Sequence, residues 1–457
     1  MYIVLLSGGS GKRLWPLSND LRSKQYIKIT REEDSGTNCS MLQRVWKQIE
    51  KSKVAKNCII TASQGQVEII KSQLGDVNIA IEPERRDTFP AVALSCVYIK
   101  DYLNAEEDEC VCFIPVDPYT EIKYFETLKK LEKTLDETDS DVVLMGVVPT
   151  EPSTKYGYIV PKRVDEEEKQ EYYEVEKFQE KPTENVAAEL IQKHALWNCG
   201  VFCMKIKTIL SLVEQLNAPI TYPELYNDYG KLPKISFDYQ VLEKSQNLYV
   251  VPFQGMWKDL GTWDILAGQM NTDILGKGIC DSSCENTNIV NELDIPTIAV
   301  GTKNVMVVAS FDGILVIDKE KSNEVKEIVS KLNYPSKYEE RRWGVLKTLD
   351  LSETEDGFTL LRKIIMFGGA SSSYHYHNER DEVLTILSGR GEIIIDGVSI
   401  LLSQGTTITI PQNKKHAVRA FCDMEYLETH IGRTFGDEDI NRLTFDWNEI
   451  LRMEKKK

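Results

Sequence analysis

The hydrophobic period of this chain changes twice, and each change restricts the fold. From residue 1 to about 270, short apolar runs alternate with amphipathic stretches of helical spacing; the runs include Ile3 to Leu6, Asn57 to Thr61, Cys110 to Pro115 and Val142 to Val147. Continuous apolar runs of strand length suit strands buried on both faces. Their alternation with helices predicts an α/β domain over 1–270, a Rossmann-like mixed, mostly parallel sheet covered by helices. Between 271 and 335 the pattern becomes short β-prone pieces with many turn residues, among them Asn286-Thr287-Asn288, Gly301 and Asp312-Gly313. It is too rich in Val and Ile for a disordered linker, so it reads as a compact β-rich connector. A polar helical stretch from Asn323 to Leu332, followed by Asn333, Tyr334 and Pro335, closes it. Over 336–457 the period is two: Gly391 to Ile395 and Val398 to Leu402 flank Asp396-Gly397, a strong hairpin signal. Several such strands predict a small all-β barrel. At 457 residues the chain is longer than one hydrophobic core usually serves, which agrees with several domains.

Composition narrows the function. A formal net charge of −16 argues against a nucleic-acid partner, because counterion release needs clustered Lys and Arg. Apolar runs such as Met1 to Leu6 stop far short of a bilayer span, and that opening run reads as a first buried strand, not a leader. No membrane partner is expected. Ten cysteines are scattered without matching zinc-site pairs, Cys280 and Cys284 included, and read as reduced core thiols of a cytoplasmic protein.

The first strand runs into Ser7-Gly8-Gly9-Ser10-Gly11-Lys12-Arg13-Leu14-Trp15-Pro16, with Lys24-Gln25 shortly after. Gly8, Gly9 and Gly11 let backbone N–H groups approach a triphosphate, while Arg13 and Lys24 can neutralise charge on the α-phosphate and the leaving pyrophosphate. Alone, a glycine triplet also fits an ordinary tight turn. The loop lacks the Gly-Lys-Ser/Thr register of a P-loop and is no dinucleotide fingerprint.

The whole string, however, resembles the signature of sugar-nucleotide pyrophosphorylases, nearest to the mannose-1-phosphate guanylyltransferases. Later segments continue the resemblance: Glu82-Pro83-Glu84-Arg85-Arg86-Asp87-Thr88-Phe89-Pro90-Ala91, Tyr156-Gly157-Tyr158-Ile159, Phe178-Gln179-Glu180-Lys181-Pro182, Trp197-Asn198-Cys199-Gly200, and Trp257-Lys258-Asp259-Leu260-Gly261. It implies transfer of a nucleotide from GTP to a sugar 1-phosphate, with release of pyrophosphate and with Mg2+ as cofactor. By the same resemblance Asp117 and Asp259 would hold the Mg2+, and Glu82, Arg86, Asp87 and Thr88 the nucleotide. Gly157, Glu180, Lys181 and Asn198 would hold the sugar phosphate. Departures at Ser23, Val116, Pro118 and Cys199 keep the charged groups but lie near the substrates, so the sugar stays open between mannose and another sugar such as a manno-heptose.

Three of the five histidines form a second pattern. His375 and His377 share one strand face, Glu382 follows, and His416 comes after Gly405 and Pro411. Three imidazoles and a carboxylate suit Zn2+ or another divalent transition metal. The spacing resembles the cupin signature, with Asn413 and Ala420 departing from it. His194 reads as an ordinary core or surface residue, and His430 is left undecided. A cupin after a guanylyltransferase resembles the enzymes that also isomerise mannose 6-phosphate, and Arg442 would then be the catalytic partner of the substrate phosphate or enediolate. The isomerase pattern loses its Gln, its second His and its Trp here, so the alternative is a non-catalytic, metal-binding cupin used for assembly or sensing. Assembly into a homo-oligomer is left open.

Overall fold

The computed structural model describes residues 1–8, 12–19, 22–31, 36–162, 170–270, 272–332, 335–355, 357–434 and 436–454. They form two compact units: Met1–Arg13, Ser23–Val67 and Asp76–Asn271 make the first, and Leu14–Arg22, Glu68–Gly75 and Thr272–Lys457 the second.

The first unit is built on a nine-stranded sheet, in the order Asn78–Glu82, Asn57–Ser63, Tyr2–Leu6, Cys110–Pro115, Leu196–Lys205, Val142–Val147, Leu248–Phe253, Tyr173–Gln179 and Tyr158–Pro161. The four apolar runs named above are all strands of it. The sheet is mixed and mostly parallel, as expected: the first four strands run parallel, Val142–Val147 and Leu248–Phe253 keep their direction, and Leu196–Lys205 enters antiparallel between Cys110–Pro115 and Val142–Val147, as Tyr173–Gln179 does beside Leu248–Phe253. Hydrophobic periodicity reports burial, which is the same for both directions; the connections set direction. Tyr2, Val4, Phe113, Leu144, Met204 and Val250 carry the core, against helix Thr88–Leu103. That helix starts at Asp87, whose φ is 70° and whose Oδ1 accepts a hydrogen bond from Thr88 N at 2.8 Å.

In the second unit the connector is a short β-coil. Ile274–Gly276, Asn288–Asn291 and Val305–Ser310 stack in parallel, Gly278–Cys280 stacks on Thr297–Ala299, and Gly313–Asp318 closes the ladder antiparallel. Cys280 and Cys284 pack against the Ile289, Ala299 and Val307 core, and Cys284 Sγ donates to Asp281 Oδ1 and the Ala299 carbonyl. All ten cysteines are free; six are buried, Cys58, Cys280 and Cys284 are partly buried, and Cys422 is exposed and so is not the core thiol expected. The helical stretch expected at 323–332 is a 3-10 turn, Lys319–Glu324, running into helix Val325–Val329.

After the connector come two antiparallel sheets. One orders Tyr338–Arg341, Gly344–Thr354, Gly357–Met366, Met424–Gly432, Arg380–Ser388 and Thr407–Ile410; the other orders Val398–Ser403, Arg390–Ile395, His416–Ala420, Tyr374–Tyr376 and Asn441–Thr444. Leu346, Ile364, Met366, Leu384, Ile393, Val418 and Tyr426 form a joint core. The predicted hairpin pairs Ile395 with Val398 around Asp396 and Gly397, both with positive φ, as its two-residue turn requires.

Candidate active site and candidate metal centre

In the first unit the strand Cys110–Pro115 ends just before Asp117, and Pro118–Thr120 then pairs with Trp257–Asp259 in a separate two-stranded ladder. Strand Leu248–Phe253 of the main sheet therefore breaks off before Trp257–Asp259. That break matters, because the ladder sets Asp259 opposite Pro118 and so beside Asp117. Lys24 stands between the carboxylates, with Nζ 2.6 Å from Asp117 Oδ2 and 3.3 Å from Asp259 Oδ1.

The two acids differ. Burial raises both, but at Asp117 the charge and hydrogen bond of Lys24 outweigh it and the carboxyl sits below its usual range. At Asp259 burial prevails and the repulsion of Asp117 adds to it, so the carboxyl sits above its usual range although Lys24 and Arg13 pull it down. Arg13, exposed, is thus close enough for its charge to be felt at Asp259. Burial would strip Lys24 of its proton, yet the two carboxylates more than offset this and raise it above the usual lysine range. An unpaired carboxylate pair would repel itself; here it converges on a cation.

Polar contacts fix this corner. Gln25 Nε2 donates to the Ser7 carbonyl at 2.7 Å, Ser7 Oγ and Tyr26 OH are 2.6 Å apart, and Gln66 Nε2 donates to Ser23 Oγ at 3.1 Å. The turn carrying Lys24 is so tied to the residue before the glycine loop. Tyr26 and Gln66 had no signal in the sequence, since they are ordinary residue types whose partners lie on other elements. Tyr26→Phe is expected to cost about 1 kcal/mol, the usual net worth of one hydrogen bond, because Ser7 Oγ keeps Gln25 as a partner; urea unfolding of the two proteins measures it.

Beside the carboxylates lies a cavity of about 480 Å³, within the range of small-molecule sites. Gly8, Glu82, Arg86, Asp87, Thr88 and Asp117 line it; Gly9 and Gly11 lie outside the described residues. Glu82 Oε1 accepts from Tyr229 OH at 2.7 Å, and burial raises its carboxyl above the usual range despite that bond. Thr88 Oγ1 accepts from Phe237 N at 2.8 Å. Arg86 is turned partly to structure: it pairs with Glu84 at 2.8 Å and donates to the Gly230 and Leu232 carbonyls. At the positions that the resemblance gives to the sugar phosphate, Asn198 donates to Asp238 Oδ1 at 2.9 Å and accepts from Gly200 N, its own N–H bonding the Gly157 carbonyl. Lys181 holds Glu180, and a Cβ on Gly157 would meet Glu180 Oε2 at 2.5 Å.

The second cluster is in the second unit, and both barrel sheets build it. His375 and His416 are direct cross-strand partners in one sheet, and Glu382 pairs with His430 in the other. The ligand atoms of His375, His377, Glu382 and His416 all lie within 4.8 Å of one another. Glu382 is the hub, with Oε1 2.9 Å from His377 Nε2 and Oε2 3.1 Å from His416 Nε2. Each Nδ1 faces a backbone carbonyl: His375 that of Ser373 at 2.8 Å, His377 that of Asp439 at 3.0 Å, and His416 that of Lys414 at 2.9 Å. This orients the Nε2 atoms inward as metal-binding lone pairs. His416 Nε2 is moreover buried without a hydrogen-bond partner, its distance to Glu382 lacking hydrogen-bond geometry. Donor set and orphaned nitrogen both fit a divalent cation.

Charge follows the hub. Burial would raise Glu382, but His430, His377 and His416 hold it well below the carboxylate range. Burial and the neighbouring imidazoles push His375 well below its usual value, whereas Glu382 holds His416 above it.

Sequence reasoning left His430 undecided and did not name Arg380. His430 Nε2 is 3.2 Å from Glu382 Oε1 and 3.0 Å from Glu428 Oε2, and buried Arg380 lies 3.5 Å from Glu382. The period-two placement of Glu428 and His430 in a β-prone run was the available signal, but which glutamate they faced depended on strand pairing. Arg442 pairs in register with His375, and His194 is exposed.

A mixed α/β sheet with one lysine and two converging carboxylates beside a cavity of small-molecule size is the arrangement of a nucleotidyltransferase. The chain matches the nucleotidyl transferase family over residues 2–274 and belongs to it; residues 363–427 match the cupin domain. It is similar to the mannose-1-phosphate guanylyltransferase of Escherichia coli, 28% identical over 96% of this chain and 98% of the relative. It is also similar to the alginate biosynthesis protein AlgA of Pseudomonas fluorescens, 27% identical over 97% and 95%. Among solved structures, the mannose-1-phosphate geranyltransferase of Thermus thermophilus covers 73% of this chain and 99% of its own, with 28% identity and a TM-score of 0.59. No helix among the described residues is long and apolar enough to cross a membrane.

Proposed function

We propose that the chain transfers the guanylyl group of GTP to mannose 1-phosphate, giving GDP-mannose and pyrophosphate, in the cytoplasm. The observation that carries this reading is the convergence of Asp117 and Asp259 on Lys24 at the edge of the 480 Å³ cavity. A phosphate oxygen of the sugar 1-phosphate attacks the α-phosphorus, and the bond from that phosphorus to the bridging oxygen breaks toward pyrophosphate. Asp117 and Asp259 would hold Mg2+, which supplies charge neutralisation at the phosphates. Lys24 and Arg13 add positive charge where the α-phosphate and leaving group build up negative charge. Gly8, Glu82, Asp87 and Thr88 border the nucleotide, with Arg86 bracing that wall; Gly9 and Gly11 are assigned to the same loop by the resemblance alone. Gly157, Glu180, Lys181 and Asn198 take the sugar phosphate, in a transferase domain read as 1–270, followed by a connector over 271–335 and a cupin over 336–457.

Pyrophosphate release, measured across nucleoside triphosphates and sugar 1-phosphates, tests the proposal; turnover is expected with GTP and mannose 1-phosphate. No release with any pair, or release only with another sugar phosphate such as a manno-heptose, would overturn it. Gly157→Ala is expected to raise KM for the sugar phosphate about tenfold with a smaller change in kcat, because the new methyl displaces Glu180; steady-state kinetics in both substrates measures it.

The cupin is proposed to bind Zn2+ or another divalent transition metal through His375, His377, Glu382 and His416. A second reading, aldose–ketose exchange on mannose 6-phosphate, is favoured by Arg442 lying in register with the ligand His375. A coupled isomerisation assay on metal-replete protein decides it, and a negative result leaves the cupin a role in assembly or sensing.

A further inference from the structure

The stretch between the two candidate active-site cations does not stay with them. Arg13 and Lys24 belong to the first unit, whereas Leu14–Arg22 packs within the second, together with Thr272–Lys457. Its attachment there is polar and buried. Arg22, 3% exposed, makes a bidentate pair with Glu292 at 2.9 Å through both terminal nitrogens, and its Nε is 3.6 Å from Glu340 Oε1. The guanidinium lies over the Tyr338 ring, 4.5 Å from its centroid. Asn19 donates to Asp312 Oδ2 at 2.7 Å and accepts from Arg22 N at 2.6 Å, while Ser310 Oγ donates to the Pro16 carbonyl at 2.8 Å. Gly313 leaves room for Trp15, since a Cβ there would lie 2.5 Å from the indole ring.

Lys24 follows Arg22 by two residues, and Ser23, the residue between them, accepts a hydrogen bond from Gln66 Nε2 at 3.1 Å. A planar bidentate ion pair fixes both position and orientation, which a lysine or a single hydrogen bond does not. We infer that Arg22 is a positioning residue for nucleotidyl transfer: its clamp on Glu292 and Glu340 sets the backbone that presents Lys24. The connector and the strand leading into the barrel thereby serve the transferase reaction, whatever chemistry the cupin performs. The inference rests on the proposed role of Lys24. Displacing a reacting group by about 1 Å can cost about a hundredfold in rate, so a clamp outside the substrate cavity can still control turnover.

The test uses the full-length protein and Glu292→Gln, which keeps the size of the partner and one acceptor but removes its charge. Pyrophosphate release at saturating GTP and mannose 1-phosphate is expected to fall about tenfold, with KM for both substrates within about threefold. Amide hydrogen exchange is read in parallel and is expected to accelerate over residues 14–26. Should Glu292→Gln not fold, Ser310→Ala loosens the same stretch at Pro16 and is expected to give the same split in milder form. Accelerated exchange at 14–26 with an unchanged kcat overturns the inference, and so does a rate loss that lies entirely in KM. Absence of pyrophosphate release by the wild type would refute the proposed reaction instead, a result separate from either.

Discussion

Asp259→Asn is expected to lower guanylyl transfer at least about a hundredfold while leaving the fold intact. A bound divalent cation contributes several kcal/mol of charge stabilisation to such transfers, and each 1.36 kcal/mol is a factor of ten, so loss of about 3 kcal/mol already gives two orders of magnitude. Stability moves differently. Asp259, partly buried, lies beside Asp117, whose charge disfavours its ionisation, so removing that charge relieves a repulsion and leaves Lys24 its shorter partner, Asp117 at 2.6 Å. The two readouts therefore separate: steady-state pyrophosphate release falls, and the thermal midpoint stays within a few degrees or rises. Normal turnover would contradict the proposed metal role.

Glu382→Ala is expected to have the largest effect in the second unit, on both metal content and stability. Glu382 is buried and in reach of His377, His416, His430 and Arg380, so its loss removes the only carboxylate of the four-ligand set. It also leaves Arg380, 2% exposed, without the anion beside it, and breaking a buried ion pair costs about 3–5 kcal/mol. Arg380 keeps its hydrogen bond to the Gly436 carbonyl, which sets the lower end of that range. Elemental analysis should show the purified variant without the divalent metal carried by the wild type, and denaturant unfolding should show the destabilisation. A variant that keeps its metal would move the centre to other ligands, with Glu428 and His430 first among them.

Candidate residues for both sites were legible in the residue order. The glycine loop with Arg13 and Lys24 and the HxH spacing at His375 and His377 stand out by their chemistry, whereas Asp117 and Asp259 stand out by the resemblance alone. Strand positions were legible too, since burial on one or both faces leaves a period in the chain. Which strands run against the others, Leu196–Lys205 and Tyr173–Gln179, was not, because a buried strand is apolar whichever way it runs.

What the sequence by itself determined is local: which segments are strands, where turns need positive φ, and which side chains can take a phosphate or a metal. Only the tertiary structure decided the pairings. It placed Asp259 beside Asp117 through a two-stranded ladder off the main sheet, and it set His430 across from Glu382. It also packed Leu14–Arg22 with the second unit, against Glu292 and Glu340 far along the chain. The physical reason is common to all three. A side chain's partner across a sheet or an ion pair depends on register and on long loops closing, and neither leaves a periodic trace in the residues that meet.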